Sequence, residues 1–333
     1  MTLAYVFRKR VYPPVYPVRL KEKIVNFKQR TLCSEVECTG IGLHSGKRVK
    51  LNVKPAPADH GIRFIRKDLT GHPVINAHFD NVVDTNLSTT IGINGTRIGT
   101  VEHIMAAFFG LGIDNARVEL DGPEVPIMDG SCAPFIYLLN STGIKEQKSP
   151  KQFMVIKKAF KVNDGDRSVS IFPSKELKIS YTIDFRHPLL RNQKYTFRFS
   201  GKDFIDEISR ARTFGFMKDI QLLRENGLAQ GGSLDNAIVI DDFRVINEDG
   251  LRYKDEFVRH KILDFIGDLA ILGHAVIGHF VVERSGHFLN QYMIRKLMDN
   301  KRHWKSVSFE NPEAFKENSV TLPAFGALEP LPA

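Results

Sequence analysis

Two short stretches set metal-binding and proton-accepting side chains at helical spacing. In FVRHKILDFIGDL, residues 257–269, His260 and Asp264 are four positions apart, so on a helix both stack on one face and can reach a single ion. Asp268 follows four residues on in the same stripe, and Lys261 adjoins the histidine, amid Phe257, Ile262, Leu263, Phe265, Ile266 and Leu269. Charge that faces a core needs partners. In TVEHIMAA, residues 100–107, Glu102 and His103 are neighbours, which on a helix point about 100° apart. With His103 on a metal, Glu102 would reach a bound water rather than the ion. That is the layout of a metal hydrolase: three protein ligands, an open position, and a carboxylate to take a proton. Imidazole nitrogen and carboxylate oxygen suit zinc or a similar divalent ion. An amphipathic helix with a solvated Glu, and a half-buried His–Asp pair on another, fit the same spacings, so the residues alone leave both readings open.

Helices must hold these groups, and the flanking sequence supplies them. Thr100 is a candidate N-cap for VEHIMAAFFGLG, which stops at Gly112; NARVELDG then reads as a strand and SCAPFIYLLNSTG as a helix ending at Gly143. Upstream, VKLNVKPA and GIRFIRKD alternate in strand fashion around the turn ADHG. KEQKSPKQ, residues 145–152, reads as a linker. The second half opens on strands again (FMVIKKAFKV, SVSIFP, LKISYTIDF, KYTFRFS), followed by a helical patch over 202–212 and a Gly-punctuated segment with its own helix and strand. A long helix over about 253–272, the strand AVIGHFVVERSG and a final helix over about 289–304 complete it. AAFFGLGIDNARVELDG and DLAILGHAVIGHFVVERSG share one order: helix, Leu-Gly turn, strand, Gly turn. The expected fold class is therefore α+β, two similar layered α/β-sandwich domains (sheet packed on helices) with the active site at their interface and a small insertion in each.

The expected division is a basic extension over 1–24, a first domain over 25–147 with an insertion near 80–99, and a second over 148–333 with an insertion near 214–241. Length favours two domains. The net charge is +9, but residues 1–30 carry +7 of it, leaving about +2 for the rest and no case for nucleic-acid binding. No apolar run is long enough for a membrane span. Three cysteines, Cys33, Cys38 and Cys132, without a C-x-x-C pair argue against a disulfide framework and for a reducing compartment. The basic extension makes a poor secretory signal, and its prolines (Pro13, Pro14, Pro17) interrupt a presequence helix; organellar targeting is kept as an alternative to a plain extension.

The strings TGIGLHSGK, TVEHIMAAFFGLGIDN, EVPIMDGS, SRARTFGFMKDI, NEDGLRYKDEFVRHKILDFIGDL and SGHFLN occur in that order. In sequence and spacing they resemble the zinc-dependent UDP-3-O-acyl-N-acetylglucosamine deacetylases, which carry out the committed step of lipid A synthesis. The resemblance runs from about Lys28 to the last turns of the C-terminal helix. It implies that His103, His260 and Asp264 ligate one zinc per chain, with ferrous iron as the alternative in the cell. It implies further that Glu102 is the catalytic base, His287 of SGHFLN a protonated partner, Asp268 the carboxylate that orients it, Lys261 a lysine near the substrate, and Thr213 a hydroxyl for the tetrahedral intermediate.

For the substrate, a UDP-acyl-sugar, the resemblance puts an acyl passage in the insertion from about Phe214 to Asp241, with Met217, Ile220, Leu223 and the run 237–240 as apolar material. It places Phe185 and Arg284 at the nucleotide end, where a strand-core Phe and a solvated Arg are the alternative readings, and Leu87 and Ser88 near the substrate. The resemblance also implies a cytoplasmic bacterial enzyme acting as a monomer. His44, His274 and His279 read as structural or surface residues, Asp129 as a turn residue, and GLAQGGS as no phosphate loop. Two rivals are a metal phosphodiesterase acting on the diphosphate, and a non-catalytic sugar-nucleotide or lipid binder. The first calls for a second metal cluster, and the second for loss of Glu102, His287 or a ligand.

Overall fold

The two loaded stretches are helices packed on each other. In the computed structural model, which describes residues 27–309 and Phe325, α1 spans Glu102–Leu111 and α5 spans Glu256–Ala270. Every residue of α1 is buried, and α5 leaves only Arg259, Lys261 and Ala270 partly open. A helix covered all round lies inside a fold rather than on it. Gly267 sets how near the pair can come: a Cβ there would stand 2.1 Å from the carbonyl oxygen of Glu102, so only glycine admits this approach.

Each helix falls between strands of its own sheet. The first sheet has five strands in the order Val36–Ile41, Arg48–Pro55, Ala116–Leu120, Ile62–Arg66, Val74–Asn76, antiparallel except between Ala116–Leu120 and Ile62–Arg66. The second has seven, centred on Ala275–Glu283. One edge of that strand takes Leu177–Ile183 in parallel; the other is shared between Gln152–Ile156 at its start and Arg167–Phe172 at its end. Alternation of buried and open residues along Arg48–Pro55 and Leu177–Ile183 shows why: one face of each strand feeds the core. The remaining helices are α2 (Ala133–Ser141), the single turn α3 (Gly201–Asp203), α4 (Met217–Glu225) and α6 (His287–Asp299). The α+β class with two layered sheet-and-helix units is as expected.

Both insertions are small sheets. Val82–Asp84, Thr90–Ile93 and Thr96–Ile98 form one of three antiparallel strands. Phe214–Phe216 and Ile238–Ile240 pair in parallel around α4, which buries none of its residues.

Several expectations fail. KEQKSPKQ is no linker: Ile144–Pro150 is a strand paired antiparallel with Lys28–Leu32, and the division placed at 147/148 falls inside it. Its polar residues are used: Gln147 donates to the carbonyl of Ala56 at 2.9 Å and accepts from Asn115 at 2.7 Å, while buried Lys151 sits 2.6 Å from both oxygens of Asp114. Thr100 does not cap α1. It lies at φ 56, its hydroxyl donates to Glu124 at 2.9 Å, and Val101 takes the cap position with no side-chain bond. The patch over 202–212 is only α3 and one π-helical turn, Phe204–Ile208. The last helix begins at His287, two residues early, and ends at Asp299; Trp304 opens an edge strand, Trp304–Ser308. The basic extension over 1–24 lies outside the described residues.

Candidate metal centre and its cleft

At the start of α1 and the middle of α5, His103, His260 and Asp264 offer one ligand atom each, all within 4.8 Å of one another and all buried. Asp264 Oδ1 stands 3.2 Å from His260 Nε2 and 3.6 Å from His103 Nε2. The His103 and His260 rings meet edge to face at 5.1 Å. His260 Nδ1 lies 3.0 Å from the carbonyl of Ala211, so as donor there it leaves Nε2 a lone pair aimed at the cluster. Burial, opposed by Asp264, pushes His260 down to about 3, which keeps it neutral, as a ligand must be. Burial works against charge on Asp264 as well, yet the carboxyl is held well below its usual range, with Lys261 Nζ 2.5 Å from Oδ2.

The residues fit a metal ion. Buried Asp264 Oδ1 has no hydrogen-bond donor, and neither does buried His103 Nδ1 have a partner. An orphaned buried carboxylate oxygen is costly, and two imidazoles and a carboxylate converging on one point are the donor set of a catalytic zinc site with an open position.

Glu102 and His287 complete the floor. Glu102 Oε2 accepts from the amide of Thr89 at 3.0 Å, and burial raises its pKa above the ordinary value despite His287 and His103. His287 Nε2 faces Glu102 Oε1 at 3.7 Å and Asp264 Oδ2 at 3.9 Å. Its Nδ1 lies 3.0 Å from Asp268 Oδ2. Burial would lower His287, yet Asp268, by charge and hydrogen bond, holds it up at about 9. Asp268 is itself fully enclosed, taking Thr89 Oγ1 at 2.6 Å, Asn290 Nδ2 at 2.7 Å and Gln291 Nε2 at 3.2 Å.

Above the floor opens a cleft of about 840 Å³. Thr213, Phe214, Lys261, Phe185, Arg284, Leu87 and Ser88 all line it. Thr213 is fixed by its backbone, donating to the carbonyl of Gly130 at 2.8 Å and accepting from Ile238 at 2.8 Å. Arg284 is held on the Asp166 side chain at 2.9 Å. Ile220 and Met217 are not brought in. They lie on α4 away from the lining, where Phe216, Asp219 and Leu223 stand instead, and Ile238–Ile240 is buried structure rather than cleft wall.

Sequence reasoning missed Thr89, Asn290 and Gln291. It set aside His44, which lines the cleft with a buried Nε2 that has no partner and whose burial, opposed by Glu124, lowers its pKa. Arg186 and Arg191, also on the wall, were missed too; two arginines flanking HPLL were the available signal. Asp129 is the turn residue expected, accepting from Ser131 N at 3.0 Å and pairing with Arg252.

Comparison with known proteins bears directly on this site. Residues 29–299 match the family described as UDP-3-O-acyl N-acetylglycosamine deacetylase. A UDP-3-O-acyl-N-acetylglucosamine deacetylase of Myxococcus xanthus (strain DK1622) is 54% identical over 282 residues, covering 85% of this chain and 90% of its own. One of Acidithiobacillus ferrooxidans (strain ATCC 53993 / BNL-5-31) is 52% identical over 302 residues, 89% of this chain and 99% of its own. A third, from Methylococcus capsulatus (strain ATCC 33009 / NCIMB 11132 / Bath), is 53% identical over 286 residues, 85% and 94% respectively.

Proposed function

Because this chain belongs to the UDP-3-O-acyl N-acetylglycosamine deacetylase family, we propose that it hydrolyses the N-acetyl group of UDP-3-O-acyl-N-acetylglucosamine, with zinc held by His103, His260 and Asp264. Acetate and the free amine are the products, and the step is the committed one of lipid A synthesis. The observation that carries this reading is the convergence of Glu102 and His287, both with raised pKa, on the space in front of three buried ligand atoms.

A bound zinc would supply Lewis acidity toward the acetamide carbonyl and the attacking water. Glu102 takes the proton from that water; its raised pKa matches the task, and the Thr89 amide keeps Oε2 fixed while Oε1 stays open. His287, protonated at neutral pH, directs Nε2–H into the same space, where it steadies the oxyanion and delivers a proton to the departing amine. The hydroxyl of Thr213, also on the cleft lining, donates to that oxyanion. Asp268 orients and charges His287, and Lys261 balances Asp264 at the substrate side. The acyl chain runs along Phe214, Phe216, Leu223 and Leu87, while Phe185, Arg284, Arg186 and Arg191 meet the nucleotide. Aromatic face and guanidinium are the groups that a uracil ring and a diphosphate call for.

No helix among the described residues is long and apolar enough to cross a membrane. We place the reaction in the bacterial cytoplasm, carried out by a monomer. The test is a deacetylation assay on the UDP-acyl-sugar with metal analysis of the same sample. Release of acetate in proportion to zinc content supports the proposal; turnover by thoroughly metal-free enzyme would sink it.

A further inference from the structure

The outer face of α6 carries a stripe that the chemistry above does not use. Phe288, Tyr292, Arg295 and Lys296 recur at helical spacing and all are exposed, Phe288 at 59% and Tyr292 at 41%. The two rings stack, centroids 6.3 Å apart and planes within 10°, and Lys296 Nζ stands 5.5 Å over Tyr292. Phe288 is at the mouth of the cleft, so the stripe starts where substrate enters. At its far end the turn Lys301–His303 meets the end of strand Gln152–Ile156, since the amides of Lys157 and Lys158 both donate to the carbonyl of His303, at 2.7 and 3.2 Å.

Five exposed cations therefore lie along this stripe and at its far end: Lys157, Lys158, Lys296, Lys301 and Arg302. Among the described residues none of the five is in an ion pair, whereas exposed Lys50, Arg198, Lys202 and Arg244 elsewhere are. Asp299 is the one acid on the stripe. Arg295 adds a sixth charge but donates to the carbonyl of Val82 at 2.6 Å. Unpaired like charges held together repel, and an anionic partner relieves that repulsion. Aromatic rings at one end and lysines and arginines at the other are the composition of a surface that rests at a lipid headgroup layer.

We propose that this face, α6 with the Lys301–His303 turn and Lys157–Lys158, docks on anionic lipid and sets the cleft mouth against the bilayer surface. Its purpose rests on the reading of the substrate as an acyl-bearing amphiphile; the docking itself rests only on charge and exposure.

The test is co-sedimentation of the full chain with vesicles of phosphatidylglycerol and phosphatidylcholine in equal parts, against phosphatidylcholine alone. Binding to the first and not the second is expected, weakening as salt rises. Lys296→Gln, Lys301→Gln and Arg302→Gln together should weaken vesicle binding on the order of a hundredfold. Deacetylation of dispersed short-chain substrate should be unchanged in that variant. The matched triple Lys47→Gln, Lys67→Gln, Lys148→Gln, on exposed positions of the first half, should leave vesicle binding near wild type. Equal loss in both triples, or affinity undiminished by the first, would overturn the proposal and assign the attraction to general charge or to the basic residues 1–30. Tighter retention by an oligonucleotide than by vesicles at equal phosphate would overturn it in favour of nucleic acid. Because the vesicles carry no substrate, failure here leaves the deacetylase reading untouched, and failure of that reading leaves vesicle binding to stand.

Discussion

Asp268 and His287 form a buried couple 3.0 Å apart, and the carboxylate is held by three further donors from two other parts of the chain. Such an enclosed carboxylate fixes both the tilt of the imidazole and its charge.

Asp268→Asn keeps the shape and removes the charge. Turnover should fall at least about a hundredfold, with zinc content unchanged. The sign of the pH effect follows from the two opposed influences on His287. Burial lowers it and Asp268 raises it to about 9, so without the carboxylate burial prevails and the alkaline limb of the rate profile moves to lower pH. A variant with wild-type kcat and an unmoved limb would remove Asp268 from the mechanism.

Glu102→Gln and His103→Ala separate the base from the ligand. The first should cost on the order of a thousandfold in kcat while retaining metal. The second should lose both activity and metal, because two remaining ligands hold zinc poorly. Metal analysis alongside turnover decides; loss of zinc from the Glu102 variant would reassign that residue to the ion.

Gly267→Ala should be destabilising, since its Cβ would fall 2.1 Å from the Glu102 carbonyl oxygen in rigid backbone. The cost expected for forcing such a core contact is about 1–3 kcal/mol, read as a lowered urea midpoint. Activity should drop as well, because the strain is relieved by moving Glu102. An unchanged midpoint would mean that the two helices part without penalty.

Lys151→Met leaves Asp114 without a cation in a place where Lys151 is fully buried and also bonds the carbonyl of Gly112 at 3.1 Å. Removing one partner of a buried pair costs about 3 kcal/mol. The midpoint of denaturant unfolding should fall accordingly. A gain in stability would show that methionine packing outweighs the pair.

Legibility from sequence tracked how local each feature was. The α1 and α5 faces, and the pairing of His260 with Asp264, follow from helical period. The residues offered the union of that pair with His103 as one of two open readings, and only the resemblance favoured it, because residue spacing says nothing about which helices will meet. Thr89 was illegible for the same reason: a hydroxyl in an insertion loop gives no local sign that it reaches Asp268, 179 positions away. Thr100 is the right residue type for a cap, but Glu124 takes its hydroxyl. KEQKSPKQ was misread because a polar, charged run suits an edge strand as well as a linker. Ile220 was carried over with its helix, and α4 turns Asp219 and Leu223 to the cleft instead, beside Phe216 of the preceding strand.

The strand Ile144–Pro150 has a mechanical consequence. Where a tether would have allowed the halves to swing like jaws, β-pairing to Lys28–Leu32 rivets the crossing point, and the Gly267 contact locks the middle. An enzyme built this way sorts its substrates at a doorway of fixed frame. On the proposed function, selectivity would then rest with the furniture of that doorway, its aromatic rings and arginines, rather than with a bite that closes on the correct molecule.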